Sequence, residues 1–95
     1  MSAPTFQKVL DDLVGILRSF NGREYSGPIT AGTQFFADLG MMSIDAVVLA
    51  ETLERHYGRK FPFNEFLSAL KQRGAGDIEV GELAEFLHAH LGAGG

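Results

Sequence analysis

The side chain best placed to do chemistry in this 95-residue chain is Ser43, in the stretch Asp38-Leu39-Gly40-Met41-Met42-Ser43-Ile44-Asp45. Serine is a favoured N-cap residue because its oxygen accepts a bond from an otherwise unpaired first-turn N–H. The periodic run that follows marks Ser43 as the opening of a helix that reaches Tyr57. Asp45 adds negative charge to the first turn, where the helix dipole favours it. Ala46, rather than Glu or Gln, stands three residues after Ser43, so the spacing gives no full capping box. A serine nucleophile needs a base, and no histidine lies at motif spacing from Ser43, so a nucleophile elbow is not supported. His88 and His90 sit two apart and point in different directions from one helix, while His56 belongs to another, so no i, i+4 ligand pair forms. The chain has no cysteine, which excludes a disulfide framework, a thiolate metal site and a cysteine nucleophile. Its glycines are scattered and follow no phosphate-cradling motif.

The helix that Ser43 opens has two unlike sides. Ala46, Leu49, Ala50, Leu53 and Tyr57 recur at i, i+3, i+4, i+7 and i+11, one continuous stripe that suits a core face. Ile44, Val47, Val48, Glu51, Glu54 and Arg55 fall on the other side. A solvated face is normally polar throughout, whereas this one sets apolar side chains and acids beside the serine, as docking surfaces do. Met41 reads as a packing residue. Met42 is open to two readings, packing or an adaptable contact surface next to the serine.

The same residues carry a resemblance. Asp38-Leu39-Gly40-Met41-Met42-Ser43-Ile44-Asp45 resembles the Asp-Leu-Gly-x-Asp-Ser-Leu-Asp segment of acyl carrier proteins. The resemblance implies that Ser43 is the attachment serine for a covalent 4′-phosphopantetheine arm, whose thiol holds acyl chains as thioesters. It makes the following helix a recognition helix with Asp45, Glu51 and Glu54 as acidic contacts, and Asp38, Met42, Ile44, Val47 and Val48 complete the expected docking set. Met42 stands where the family usually has Asp, a residue that helps the modifying transferase to dock. Asp77-Ile78-Glu79-Val80-Gly81-Glu82-Leu83 also resembles the opening of the family's last helix. The implied fold is all-α, a four-helix bundle of acyl-carrier type with a long loop between the first two helices and a short third helix. The placement has a physical basis, since a phosphodiester on Ser43 sits at a helix N-terminus, where free N–H groups and the dipole stabilise an anion. A four-helix core can also open to shelter an apolar chain.

The elements that position Ser43 follow from pattern. Phe6, Val9, Leu10, Leu13, Val14, Ile16, Leu17 and Phe20 predict a first amphipathic helix from about Thr5 to Phe20, with Asp11 and Asp12 opposite the stripe. Gly15 inside it costs about 1 kcal/mol relative to alanine, which predicts a close packing contact there. Asn21-Gly22 is a stop and turn signal. Residues 21–34 read as a long connection, packed down by Tyr25, Ile29, Phe35 and Phe36, with Thr33 capping a brief turn through Leu39. Gly40 lets the chain turn sharply to present Ser43. Gly58 is the expected C-cap of the Ser43 helix. Pro62 suits the first position of a third helix with Phe63, Phe66, Leu67 and Leu70. Gly74-Ala75-Gly76 breaks it, and Asp77 or a neighbour starts a last helix with Val80, Leu83, Ala84, Leu87 and Leu91. Residues 1–4 and 92–95 are expected to be disordered.

The length bounds the chain to one domain, residues 1–95, with one core. The net charge of −4 is unevenly spread: between Arg23 and Arg55 there is no base, only Glu24, Asp38, Asp45, Glu51 and Glu54. An acidic field around Ser43 attracts basic partners and argues against nucleic acid. No apolar stretch approaches membrane-spanning length, since Asp45 interrupts the run at residues 39–50, and the N-terminus lacks a signal-peptide pattern. The expectation is therefore a monomeric, cytoplasmic, stand-alone, non-catalytic carrier without metal, membrane or nucleic-acid binding. Its partners are a phosphopantetheinyl transferase and acyl-loading, synthase or acyltransferase enzymes with basic docking surfaces, in polyketide, other natural-product or fatty acid biosynthesis. Two alternatives stay open: an unmodified interaction module docking through the Ser43 helix, and a Ser43 that only caps, whose loss to alanine costs about 1 kcal/mol and nothing else.

Overall fold

The first helix packs against the last one, and this pairing organises the bundle. A computed structural model of the chain describes residues 4–20 and 22–93, with the side chains of Arg23, Ser43 and Ala93 outside the description. The element order is α1 (Phe6–Arg18), β1 (Ser19–Phe20), β2 (Arg23–Glu24), α2 (Ser43–Tyr57), α3 (Phe63–Gln72) and α4 (Val80–Ala93). Four helices with a short third one and a long α1–α2 connection make this the all-α bundle that the sequence implies.

The Thr5 hydroxyl opens α1 by accepting from the Lys8 amide at 3.1 Å. The helix then buries Val9, Leu13 and Leu17 completely, against Val80, Ala84 and Leu87 of α4 and Leu53 of α2. It stops at Arg18, short of the expected Phe20, because Ser19 and Phe20 leave helical geometry to pair antiparallel with Glu24 and Arg23. That small hairpin buries Phe20, and the Arg18 guanidinium fastens its return strand by donating to the carbonyls of Tyr25 and Gly27. The turn signal at Asn21 lies outside the described residues; Gly22 beside it has φ 79°. One expectation within α1 is corrected: Gly15 faces solvent with open space around it, so it marks no close contact. The Asp12 carboxylate is only 15% exposed, bonded to Lys8 and to the Tyr57 hydroxyl at 3.2 Å, which ties α1 to the end of α2.

The long connection is anchored to the start of α4 by a ladder of main-chain bonds. Phe35 N–H donates to the Ile78 carbonyl, Val80 N–H to Thr33 and Gly81 N–H to Ala31, at 2.7–2.9 Å. The first-turn amides of α4, which have no acceptor within their own helix, are thus satisfied by the loop. Gly81 is the glycine that packing requires: a Cβ there would lie 2.9 Å from both the Cβ and the carbonyl oxygen of Ala31. The brief turn at residues 35–39 forms as expected, but Thr33 does not cap it; the Thr33 hydroxyl accepts from Thr30 N–H instead.

α2 ends at Gly58 in the left-handed conformation (φ 67°), as predicted. Pro62 is the N-cap of α3 rather than its first helical residue. α4 begins at Val80, not Asp77, and continues through Gly92 and Ala93, where a disordered tail was expected; helical bonding extends to the last alanine despite the terminal glycine. The frayed ends expected at residues 1–3 and 94–95 lie outside the described residues. No helix among the described residues is long and apolar enough to cross a membrane.

Candidate functional site

Ser43 is the first helical residue of α2, one step inside the position that sequence assigned to it. Met42, in extended geometry with φ −110° and ψ 169°, is the N-cap. The Asp45 carboxylate reaches back to accept the Met42 N–H at 2.8 Å. The capping-box spacing therefore runs from Met42 to Asp45, not from Ser43 to Ala46. Gly40, at φ 66°, takes the reversal just before it that a side chain would resist. The backbone of Ser43 is fixed by these contacts, and its hydroxyl lies outside the described atoms.

The expected contact residues separate into three groups. Met42, Ile44 and Val47 are 62%, 65% and 55% exposed, and Glu51 is exposed beside them. Ile44, Val47, Glu51 and Arg55 follow one another along the outer stripe of α2. Asp38 is exposed as well, but it sits in the preceding loop with its carboxylate accepting the Gln34 amide at 2.8 Å. Val48 is half-buried and packs on the core. Glu54 is committed to the next loop, accepting the Phe61 N–H at 3.0 Å with the Lys60 ammonium 3.9 Å away. Asp45 is a correction: at 2% exposure it is a buried capping residue and not a surface acid, because closing the first turn of α2 draws its carboxylate inward. The acidic block read from sequence thus leaves Glu51 as the exposed acid of the helix, next to an apolar head.

An apolar cleft of about 410 Å³ opens between α2 and α3, walled by Phe35, Phe36 and Met41 of the loop, Val47 of α2 and Phe66 and Leu67 of α3. Val47 therefore belongs both to the outer surface and to the cleft mouth. Phe36 and Leu67, 38% and 46% exposed, are the lining residues that reach solvent from the loop and from α3. Apolar surface left uncovered in this way marks a place for an apolar guest.

Sequence reasoning missed the residue that fixes this wall. Asp77, forty positions away, accepts the amides of Phe36 (Oδ1, 3.0 Å) and Ala37 (Oδ2, 2.9 Å), and that of Ile78 at 2.7 Å. Burial pushes its carboxyl up, but the three amides together outweigh burial and hold it below the usual carboxylate range. The signal available in sequence was only an aspartate before an apolar run, which reads as a helix start. Elsewhere, Glu82 is held low by the Arg73 guanidinium and the Glu79 amide, a pairing that braces the α3–α4 turn.

Among the described residues no group of three His, Cys, Asp or Glu side chains could hold a metal ion. A helix start, a strip of exposed apolar side chains with Glu51, and an apolar cleft lie within the same few residues. A family model described as phosphopantetheine attachment site matches residues 11–72, well over half of the chain and with Ser43 near its centre. No curated protein and no solved structure gives a significant match.

Proposed function

The chain belongs to the phosphopantetheine-attachment family of carrier domains, and on that premise we propose that Ser43 is the serine that bears the covalent 4′-phosphopantetheine. The group fits the place. Its phosphodiester gains from the first-turn amides and dipole of α2, and Ser43 stands between Met42 and Ile44, both more than half exposed, so the chain leaves room for a tether. That position of Ser43 is the observation that carries the reading. When bound, the arm supplies a thiol that holds an acyl group as a thioester.

The remaining work falls to the chain's own side chains. Met42, Ile44, Val47 and Glu51 present a docking strip to a phosphopantetheinyl transferase and then to acyl-loading, synthase or acyltransferase enzymes, with Glu51 meeting a basic residue on the partner. The cleft between α2 and α3 shelters an apolar chain from water. The protein itself catalyses nothing: it acts as a monomeric, cytoplasmic carrier. The apolar head of the strip, with Met42 where the resembled motif has Asp, favours a dedicated set of partners, as in polyketide or other natural-product biosynthesis, over a housekeeping fatty acid role. Met42 also favours the second reading, an unmodified module that only docks through Ile44, Val47 and Glu51, because a generic transferase loses an acidic contact there.

Incubation with coenzyme A and a broad-specificity phosphopantetheinyl transferase, read by intact mass, separates the two. The expected result is one added arm on the wild type and none on Ser43→Ala. An unmodified wild type, under conditions that fully convert a known carrier, overturns the carrier reading in favour of the module.

A further inference from the structure

The turn that leads to Ser43 has a peculiarity of bonding. The amide of Gln34 is taken by Asp38, that of Phe35 by the Ile78 carbonyl, those of Asp38 and Leu39 by the Gln34 carbonyl and that of Met41 by the Phe35 carbonyl. Phe36 and Ala37 instead use a distant side chain, and both donate to Asp77. In a helical turn these are the first-turn donors that no carbonyl within the turn can reach. Asp77 spans them with one oxygen each, as an N-cap supplied from another part of the chain.

The two amides belong to the wall of the cleft. Phe36 lies at its rim and Phe35 and Met41 line it from the same turn, while Ile78, next to Asp77, lines it from the α3–α4 side. One carboxylate therefore joins the two segments that close this side of the cleft. α3, across the mouth, contributes Asn64 and Leu67 and has no such tie to the turn among the described residues. The Phe35–Ile78 main-chain bond holds the base of this wall, and Asp77 adds the two bonds nearest Phe36 itself.

We infer that Asp77 is a positioning residue for the carried chain: its grip on Phe36 and Ala37 sets the mouth of the cleft, and with it the protection that a long acyl chain obtains there. The inference rests on the carrier function proposed above. Asparagine at this position keeps the size of the side chain but has one acceptor oxygen, so one of the two amides faces an N–H group and loses its bond. Short acyl groups do not reach deep into the cleft and are indifferent to its mouth. A role confined to stability affects short and long chains alike.

The test compares wild type, Asp77→Asn and Phe36→Ala. In the apo chain, hydrogen exchange at one of the Phe36 and Ala37 amides is expected to quicken by about tenfold in Asp77→Asn, with the helices intact by far-UV circular dichroism. In holo chains loaded with acetyl or decanoyl groups, attack of hydroxylamine on the thioester is followed by mass. Decanoyl release is expected to be several-fold faster in Asp77→Asn and in Phe36→Ala than in wild type, and acetyl release equal in all three. Unchanged amide exchange overturns the clamp itself. Faster exchange with equal decanoyl release, or with acetyl and decanoyl release accelerated alike, leaves Asp77 a structural residue and overturns its positioning role. A chain that accepts no arm at all sinks the carrier function and this inference together, whereas either of the other failures sinks this inference alone.

Discussion

Replacing Asp45 by alanine decides whether that carboxylate belongs to the docking surface or to the fold. The side chain is 2% exposed and its Oδ2 accepts the Met42 N–H at 2.8 Å. Losing a cap costs about 0.5–2 kcal/mol, and a hydrogen bond to a charged group is worth about 1.5–3 kcal/mol. These describe the same interaction and do not add, so the expected loss for Asp45→Ala is about 2 kcal/mol. For a domain of this size that lowers the melting temperature by about 8–16 °C. Asp45→Asn keeps an acceptor for the Met42 amide and is expected to lose less than half as much. Urea unfolding of both variants and of Glu51→Gln, followed by circular dichroism, gives the comparison. Glu51 is exposed, and its neutralisation is expected to change stability by less than about 0.5 kcal/mol. If Asp45→Ala proves as stable as Glu51→Gln, yet the transferase's KM for it rises, the capping role is refuted and the carboxylate is a surface contact after all.

Three further outcomes follow from the geometry. Gly81→Ala brings a methyl group within 2.9 Å of the Ala31 backbone; it is expected to cost about 1–3 kcal/mol and to quicken hydrogen exchange at the Val80 and Gly81 amides. Tyr57→Phe deletes the bond to Asp12, whose carboxyl burial raises but Lys8 and Tyr57 together hold below its ordinary value. A lowered carboxylate stabilises the fold above its unfolded pKa and loses that contribution as pH falls through the folded one. The expected deficit of about 1 kcal/mol at neutral pH therefore shrinks below about pH 4, which urea unfolding at a series of pH values measures. On the docking strip, Ile44→Ser is expected to raise the transferase's KM at every salt concentration, whereas the effect of Glu51→Lys is expected to fade above the ionic strength that screens a surface pair; a salt-dependent Ile44→Ser effect contradicts the apolar reading of the strip.

Much of the bundle was legible because period and punctuation agree. Val9, Leu13 and Leu17 recur at helical spacing and are fully buried, and Gly58 ends α2 in the left-handed geometry that its type suggests. The boundaries slipped where a neighbour in space competed with local preference. Phe20 left α1 to pair in a hairpin, and Met42 is the cap residue, its amide held by the Asp45 carboxylate. The glycine that matters for packing was likewise invisible from its own segment: Gly15 is open, and Gly81 is pressed against a loop fifty residues earlier.

The sequence alone determined that a serine opens an amphipathic helix in a small all-α chain without cysteine, and that the helix pairs a core stripe with a mixed outer one. Those are properties of residue type and spacing along one element. The tertiary structure decided which acids remain on the surface: burial took Asp45, the α2–α3 loop took Glu54, and Glu51 stayed exposed. It also decided that Asp77 closes the turn before Ser43, since a carboxylate finds its amide partners by proximity, and forty residues of chain separate these.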